Sequence, residues 1–413
     1  MPLTYAQLLR QNASFRRVWM GQVVSFFGDW FKTIALYTAV QELTDSAQAL
    51  AAVLVFNLLP IFLMTPIAGP LADRVDRRKL MIGTDIARAI GALLLIGAHQ
   101  LGSLALIFAV QFVMVSFSGI FIPARSAVIP QITNAEELPV AMALSGGTWS
   151  VMLALGAAAG GVVTALVGVD WALLLDGFTY LLSGIILFGL SPQPPSDTPS
   201  DRESAGFWHG IRYLRARPYL TSVLSLKPMI GLATASVAMI PLFGGGMFPA
   251  AVGPMFIGLL YTARGTGALF GAMGVRRLTG DDPAVLRRCI PFGFLLSALA
   301  YVGLSKAGSI HTAALMYLVG TLGSGMVWVF AGILGQIASD REYRGRVFSL
   351  EFGMMTLVSS IVSLIAGALV DHTDLGPRDV VAGLGGVMVL PALLWWAAMG
   401  VLKPSGDGKV PPK

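Results

Sequence analysis

Residues 52–80 read AVLVFNLLPIFLMTPIAGPLADRVDRRKL. Up to Ala72 the stretch has no charged residue; Asp73, Arg74, Asp76, Arg77, Arg78 and Lys79 then follow almost without interruption. About 20 apolar residues cross roughly 30 Å of hydrocarbon as a helix, so residues 47–72 read as a spanning helix that ends abruptly in a basic loop. A helix is the expected spanning element because it satisfies its own backbone hydrogen bonds where no water can.

Apolar runs of this length recur along the whole chain. Of the 413 residues, 55% are hydrophobic and 12% charged, against about 25% charged in an ordinary soluble domain. The composition is that of an integral membrane protein with no room for a large soluble domain. The expected spans are 18–41, 47–72, 79–99, 103–124, 141–166, 169–190, 219–243, 254–276, 288–306, 311–336, 344–370 and 380–402. One cysteine, Cys289, excludes an internal disulfide and a cysteine-rich metal site. His99, His209, His311 and His372 lie far apart and form no pair with ligand spacing. Arg10, Arg16 and Arg17 precede a first run that contains Asp29 and lacks a small-residue cleavage signature, so it reads as a retained helix.

The net charge of +6 could suggest nucleic acid, but its placement argues against that partner. Arg and Lys gather in ADRVDRRKL, RYLRARP, VRRLTGDDPAVLRR, DREYRGR and the C-terminal tail, whereas the alternate loops hold little beyond Lys306 and Arg378. The asymmetry predicts that both termini are cytoplasmic. Between spans six and seven, SPQPPSDTPSD reads as a linker. It leads into a short amphipathic segment in which Phe207, Ile211 and Leu214 share a face opposite Arg212 and Arg215, expected to lie along the inner membrane surface. The linker divides two parts that echo each other: AGPLADRVDRRKL closes span two as FGAMGVRRL closes span eight, and PQITNAEELPVAMALS precedes span five as GQIASDREYRGRVFSL precedes span eleven. The expected organisation is a six-helix bundle over residues 1–190, a cytoplasmic linker over 191–218, and a second six-helix bundle with a short tail over 219–413. Twelve spans in two such halves suit a rocking transporter with its site between them.

The stretch GPLADRVDRRKL resembles the loop motif between the second and third helices of the major facilitator superfamily. Gly69, Leu71, Ala72, Asp73, Arg74, Arg77 and Arg78 match, and Asp76 stands where the pattern has its second glycine. GDWF at Gly28–Phe31, PARSAVIPQI at Pro123–Ile132 and RGRVFSL at Arg344–Leu350 resemble the branch of enterobactin-type siderophore exporters and macrolide efflux proteins. GAAAGG, Gly156 to Gly161, is similar to the antiporter motif of helix five, with Ala157 in place of its proline. The resemblance implies an all-α membrane protein of the major facilitator fold, located in a bacterial inner membrane. It also implies a conformational latch of Gly69, Asp73, Arg74, Arg77, Arg78 and Arg125, in which Asp73 caps a helix or pairs with an arginine when the bundles close. A second reading leaves the basic residues to set topology alone.

Charges inside the spans need a reason. Asp29 lies near mid-membrane and Lys32 shares its face; exposed to lipid both would be costly, and beside a watery cavity they can pair and meet substrate or protons. The alternative is a buried pair that orients the helix. Lys227, Arg264 and Glu351 sit at comparable depth, and Asp176 reads as structural. The superfamily arrangement implies a cavity of Asp29, Lys32, Asn57, Gln111, Trp149, Lys227, Tyr261, Arg264, Trp328 and Glu351. Its aromatic faces suit a bulky amphipath, and its cations suit one with negative charge. Glu351 has no cation beside it in sequence and is the expected proton-carrying acid. Gly156, Gly160, Gly161, Gly267 and Gly271 form small-residue seams for close helix packing.

These features predict a non-enzymatic secondary transporter without a cofactor, driven by the proton gradient, that exports a drug-like or siderophore-like amphipath and functions as a monomer in the bilayer. A phosphate-cradling glycine loop is absent from the sequence. The alternative within the same superfamily is a lysophospholipid flippase. A membrane-embedded enzyme or receptor would need a metal or nucleophile constellation, and none is present in the sequence.

Overall fold

The computed structural model describes residues 3–194, 207–247, 253–274, 282–340 and 343–402, with Arg277 and Gly280 beside them. Among these residues all regular structure is helical. A short helix α1 (Tyr5–Gln11) opens with a capping box at Thr4. There follow α2 (Ala13–Leu43), α3 (Ala47–Arg74), α4 (Arg77–Gln100), α5 (Leu104–Ile132), α6 (Glu137–Val167) and α7 (Val169–Phe188). Beyond the linker come α8 (Phe207–Arg215), α9 (Pro218–Ala238), α10 (Ile240–Met247), α11 (Gly253–Leu269), α12 (Pro283–Ser305), α13 (Ile310–Ala338), α14 (Arg344–His372), α15 (Pro377–Val387) and α16 (Val389–Val401).

Polar caps set where the long helices start. Asn12, Ser46, Ser103 and Ser309 each accept a backbone N–H of the first turn of α2, α3, α5 and α13. Among the described residues ten spans are long and apolar enough to cross a membrane. Helices α2 and α11 are not among them: α2 carries Arg16, Arg17, Asp29 and Lys32, and the α-helical part of α11 has 17 residues.

Several expected boundaries shift for identifiable reasons. The first span extends from 18–41 to 13–43, because Asn12 caps it earlier. The seventh breaks at Met239, where the N–H turns back to Ser236 and Val237. Pro241 has no N–H to give the carbonyl of Val237, and its ring crowds that carbonyl. The twelfth, expected as one run from 380 to 402, is two helices hinged at Met388; Pro391 stands in the same relation to Val387. The eighth passes into a π turn at Phe270–Gly274.

The packing graph repeats. In the first set α2 lies on α6 and α7, α3 on α5, and α4 on α5 and α7; in the second set α9 lies on α14, α11 on α13, and α12 on α13 and α15. The sets meet through α6 against α11 and α3 against α14. Hydrogen bonds identify the two ends of the molecule. Arg17 and Arg78, at the starts of α2 and α4, reach carbonyls at the end of α7, and Arg287 reaches Leu402 O; this is the terminal face. At the far face His99 bonds Glu42 and Asp170, and Arg378 bonds Ala307 O.

The core between helices holds Tyr37, Tyr180, Phe256, Tyr261, Phe294, Tyr317 and Phe330, while Ile185, Phe188 and Leu299 point outward with 70% or more exposure. Apolar side chains outside and polar ones inside suit a protein whose solvent is lipid.

Candidate functional site

Charged and aromatic side chains converge at mid-helix in three groups. In the first set, Asp29 and Lys32 of α2 meet α7: Tyr180 donates its hydroxyl to Asp29 Oδ1 at 2.6 Å and accepts from Lys32 Nζ at 3.0 Å. Lys32 Nζ lies 3.4 Å from the same carboxylate oxygen. The Lys32 side chain is 3% exposed and that of Asp29 30%, so the pair has one dry and one wet end. Sequence spacing brought Asp29 and Lys32 together, but it did not show Tyr180 between them. On α4, Arg88 bonds Asp85, both buried, and its guanidinium stacks on the rings of Tyr180 and Phe121 at 4.3 and 4.6 Å. Asp85 and Arg88 were not singled out in the sequence. Their i, i+3 spacing within an apolar helix was the available signal.

The second group joins α9 and α14. Lys227 Nζ donates to Glu351 Oε2 at 2.6 Å. The same ammonium lies 5.0 Å from the Trp328 ring and 5.3 Å from that of Phe348. Glu351, which has no cation beside it in sequence, gains one in the fold from a residue 124 positions away. Removing either charge leaves the other buried and uncompensated.

A third group spans both sets. Tyr261 of α11 donates to the Tyr37 hydroxyl at 3.3 Å and packs against Trp30 at 5.7 Å. Arg264 lies 5.8 Å from the Tyr261 ring and 6.0 Å from that of Trp149 on α6. Trp149 and Trp328 keep 41% and 40% of their surface exposed. Gln111 donates to Asn57 at 2.6 Å, and Gln22 to the Ser145 carbonyl at 2.8 Å. Asn57 and Gln111 thus join α3 to α5, with Gln111 Oε1 buried and without a hydrogen bond.

The basic stretch 73–79 also becomes specific. Asp76 caps α4, accepting Lys79 N–H at 3.1 Å through one oxygen and Gln193 N–H at 3.1 Å through the other. Its φ is −53°, so the position needs no glycine. Arg77 donates to Ala72 O, Arg78 to Phe188 O, and Arg74 is exposed. Arg125 is buried with its guanidinium 5.1 Å from the Phe26 ring. The side chains of Gly69 and Asp73 lie outside the described residues, and with them the expected Asp73–Arg125 contact.

Glycine seams allow the helices to approach. A Cβ on Gly156 would stand 2.9 Å from Trp30 Cβ, and one on Gly160 2.9 Å from Phe31 Cα, both on α2. On Gly161 it would meet Pro254 O at 2.8 Å and Gly258 Cα at 3.0 Å, across the two sets. Gly267 and Gly271 press on the backbone of α13 at Leu318 and Leu322.

Residues 4–400 match the transmembrane secretion effector family. The chain belongs to this family of major facilitator superfamily transporters; it is a transporter, not an enzyme. An uncharacterized MFS-type transporter, YfiS of Bacillus subtilis, is 25% identical over 403 residues, covering 92% of this chain and 93% of YfiS. The enterobactin exporter EntS of Escherichia coli O1:K1 is 24% identical over 300 residues, 72% of this chain and 71% of EntS. A bacterial homolog of the human lysosomal transporter Spinster, solved inward-facing and unoccupied, shares the fold with a TM-score of 0.69 and 14% identity, over 94% of this chain and 95% of that one.

Proposed function

We propose that this transporter exports an amphipathic small molecule in exchange for protons, by alternating access between two six-helix halves. In this reading the halves are residues 1–190 and 219–413, joined by the linker 191–218. Twelve spans leave both termini in the cytoplasm of a bacterial cell whose inner membrane holds the protein, and each chain works alone without a cofactor.

The observation that carries the reading is where the two sets hold each other. Gln41 Nε2 donates to Pro241 O at 2.8 Å, and Asp371 accepts from Ala47 N, Gln48 N and Ser46 Oγ at 2.7–2.9 Å; all lie at the far face. Thr262–Ala154 and Tyr261–Tyr37 follow at mid-depth. Basic loops mark the terminal face as cytoplasmic. Fastened at its far face, the molecule is in the state in which an exporter would load from the cytoplasm. Arg264, Trp149 and Trp328 then present a cation and aromatic faces, suited to an amphipath carrying negative charge.

The test uses proteoliposomes with an internal pH dye and an imposed proton gradient, to which catecholate siderophores, macrolides, cationic dyes and lysophospholipid are added in turn. Proton flux that depends on one of the first three supports the reading and names the class. Lysolipid movement without proton flux replaces it with a flippase.

A further inference from the structure

Asp176, on α7, was expected to be structural, yet its carboxylate stands without a hydrogen bond. It is 0% exposed, and neither carboxylate oxygen has a hydrogen bond. It faces α2 so closely that a Cβ on Gly28 would stand 2.8 Å from Asp176 Oδ1. Tyr180 lies one turn along α7 within reach, but a phenol has one proton and gives it to Asp29. The other charged groups around Asp176 are Asp29 and Lys32 on α2 and Arg88 on α4, the last bonded to Asp85. Arg125 on α5 lies behind Arg88. Lys32 bonds Asp29 and Tyr180, Arg88 bonds Asp85, and neither cation hydrogen-bonds Asp176. A bare carboxylate buried without a hydrogen bond is very costly; the same group as a neutral acid is not.

We propose that Asp176 is the proton-carrying carboxyl of this transporter, exchanging its proton with the partly exposed Asp29 through the hydroxyl of Tyr180. Asp176 gives its proton to the Tyr180 oxygen as Tyr180 gives its own to Asp29. The net change is one proton moved, the phenol restored, Asp29 neutral and Asp176 ionised. Lys32 then loses its partner on α2 and gains one on α7, which alters the seam between these helices. Asp29 returns the proton to water at its exposed side. The transport role of this step rests on the proton-coupled reading above, while the protonation of Asp176 stands on the geometry alone.

Infrared difference spectroscopy of purified protein in lipid at neutral pH tests the assignment without a substrate. The carbonyl stretch of a protonated carboxylic acid is expected in the wild type, kept in Asp29→Asn and Glu351→Gln, and lost in Asp176→Asn. A wild type without the band, or a band that survives Asp176→Asn, overturns the proposal. Should Asp176→Asn not fold, Asp176→Glu moves the acid and is expected to shift the band; an unshifted band overturns the assignment equally. In proteoliposomes, Asp176→Asn is expected to abolish substrate-dependent proton flux and keep substrate exchange at zero gradient, while unchanged flux rejects the carrier role. If the wild type moves substrate without protons while the band still depends on Asp176, the coupling reading fails and the protonated site remains.

Discussion

The Asp371 carboxylate, at the end of α14, accepts the N–H of Ala47 at 2.8 Å and so caps a helix, α3, of the opposite set. Its second oxygen takes Gln48 N–H at 2.9 Å and Ser46 Oγ at 2.7 Å. Two first-turn donors of α3, the N–H groups of Ala47 and Gln48, are thus satisfied by a residue more than 320 positions away. The cap exists only while the far face is closed, which makes Asp371 a fastening of that face.

Asp371→Ala is therefore expected to favour opening at the far face. A charged N-cap at an exposed position contributes about 1 kcal/mol, or roughly fivefold in the equilibrium. In a Cys289→Ser background, spin labels at Leu101 and Leu375, both exposed at the far face on opposite sets, should show a longer distance component. An unchanged distribution would mean that the glycine seam closes the face unaided.

The pair Lys227–Glu351 should behave as a unit. Both side chains are nearly buried, so Lys227→Met or Glu351→Gln alone is expected to lower stability by about 3 kcal/mol, and the double variant by clearly less than the sum. Thermal unfolding of the purified variants gives the cycle. Additive losses would show that the two charges are independently solvated.

Two glycines at similar seams should separate stability from switching. Gly267 presses on α13 of its own set, so Gly267→Ala is expected to reduce thermal stability by about 1–3 kcal/mol. Gly161 meets α11 of the other set, so Gly161→Val is expected to leave each set folded and to hold the far face apart. The same label pair at Leu101 and Leu375 reads the second effect, and equal losses of stability in both variants would remove the distinction.

The segment after the linker docks onto the protein. Tyr213 stacks on Tyr343 at 4.2 Å, its hydroxyl accepts from Arg217 and from Asp340 N–H, and Arg217 pairs with Asp340 at 2.8 Å. Tyr213→Ala should expose Arg215 and Arg217 to trypsin about fivefold faster, from roughly 1 kcal/mol of stacking. Burial pushes the Tyr213 phenol up from its ordinary value. The docked state therefore prefers the neutral phenol: its contribution is complete below the ordinary tyrosine pKa of about 10 and falls as pH rises beyond it. Cleavage rates should stay level to about pH 9 and then climb.

Much of this was legible beforehand. The run ending in Ala72 and the charges after it establish a spanning helix, because hydrophobic thickness and helical rise are properties of the chain and the bilayer alone. The spacing of Asp29 and Lys32 placed them on one face for the same local reason. The motif at Gly69–Arg78 pointed to the superfamily, and the match of residues 4–400 to a transporter family agrees. What local spacing does not contain is partnership between distant helices. Lys227 found Glu351, Asp371 capped α3, and Tyr180 came between Asp29 and Lys32 only through packing of elements far apart in sequence. Asp176 shows the limit most clearly. Its position inside an apolar helix is visible in the chain, but only the fold buries its carboxyl and leaves both oxygens without a hydrogen bond.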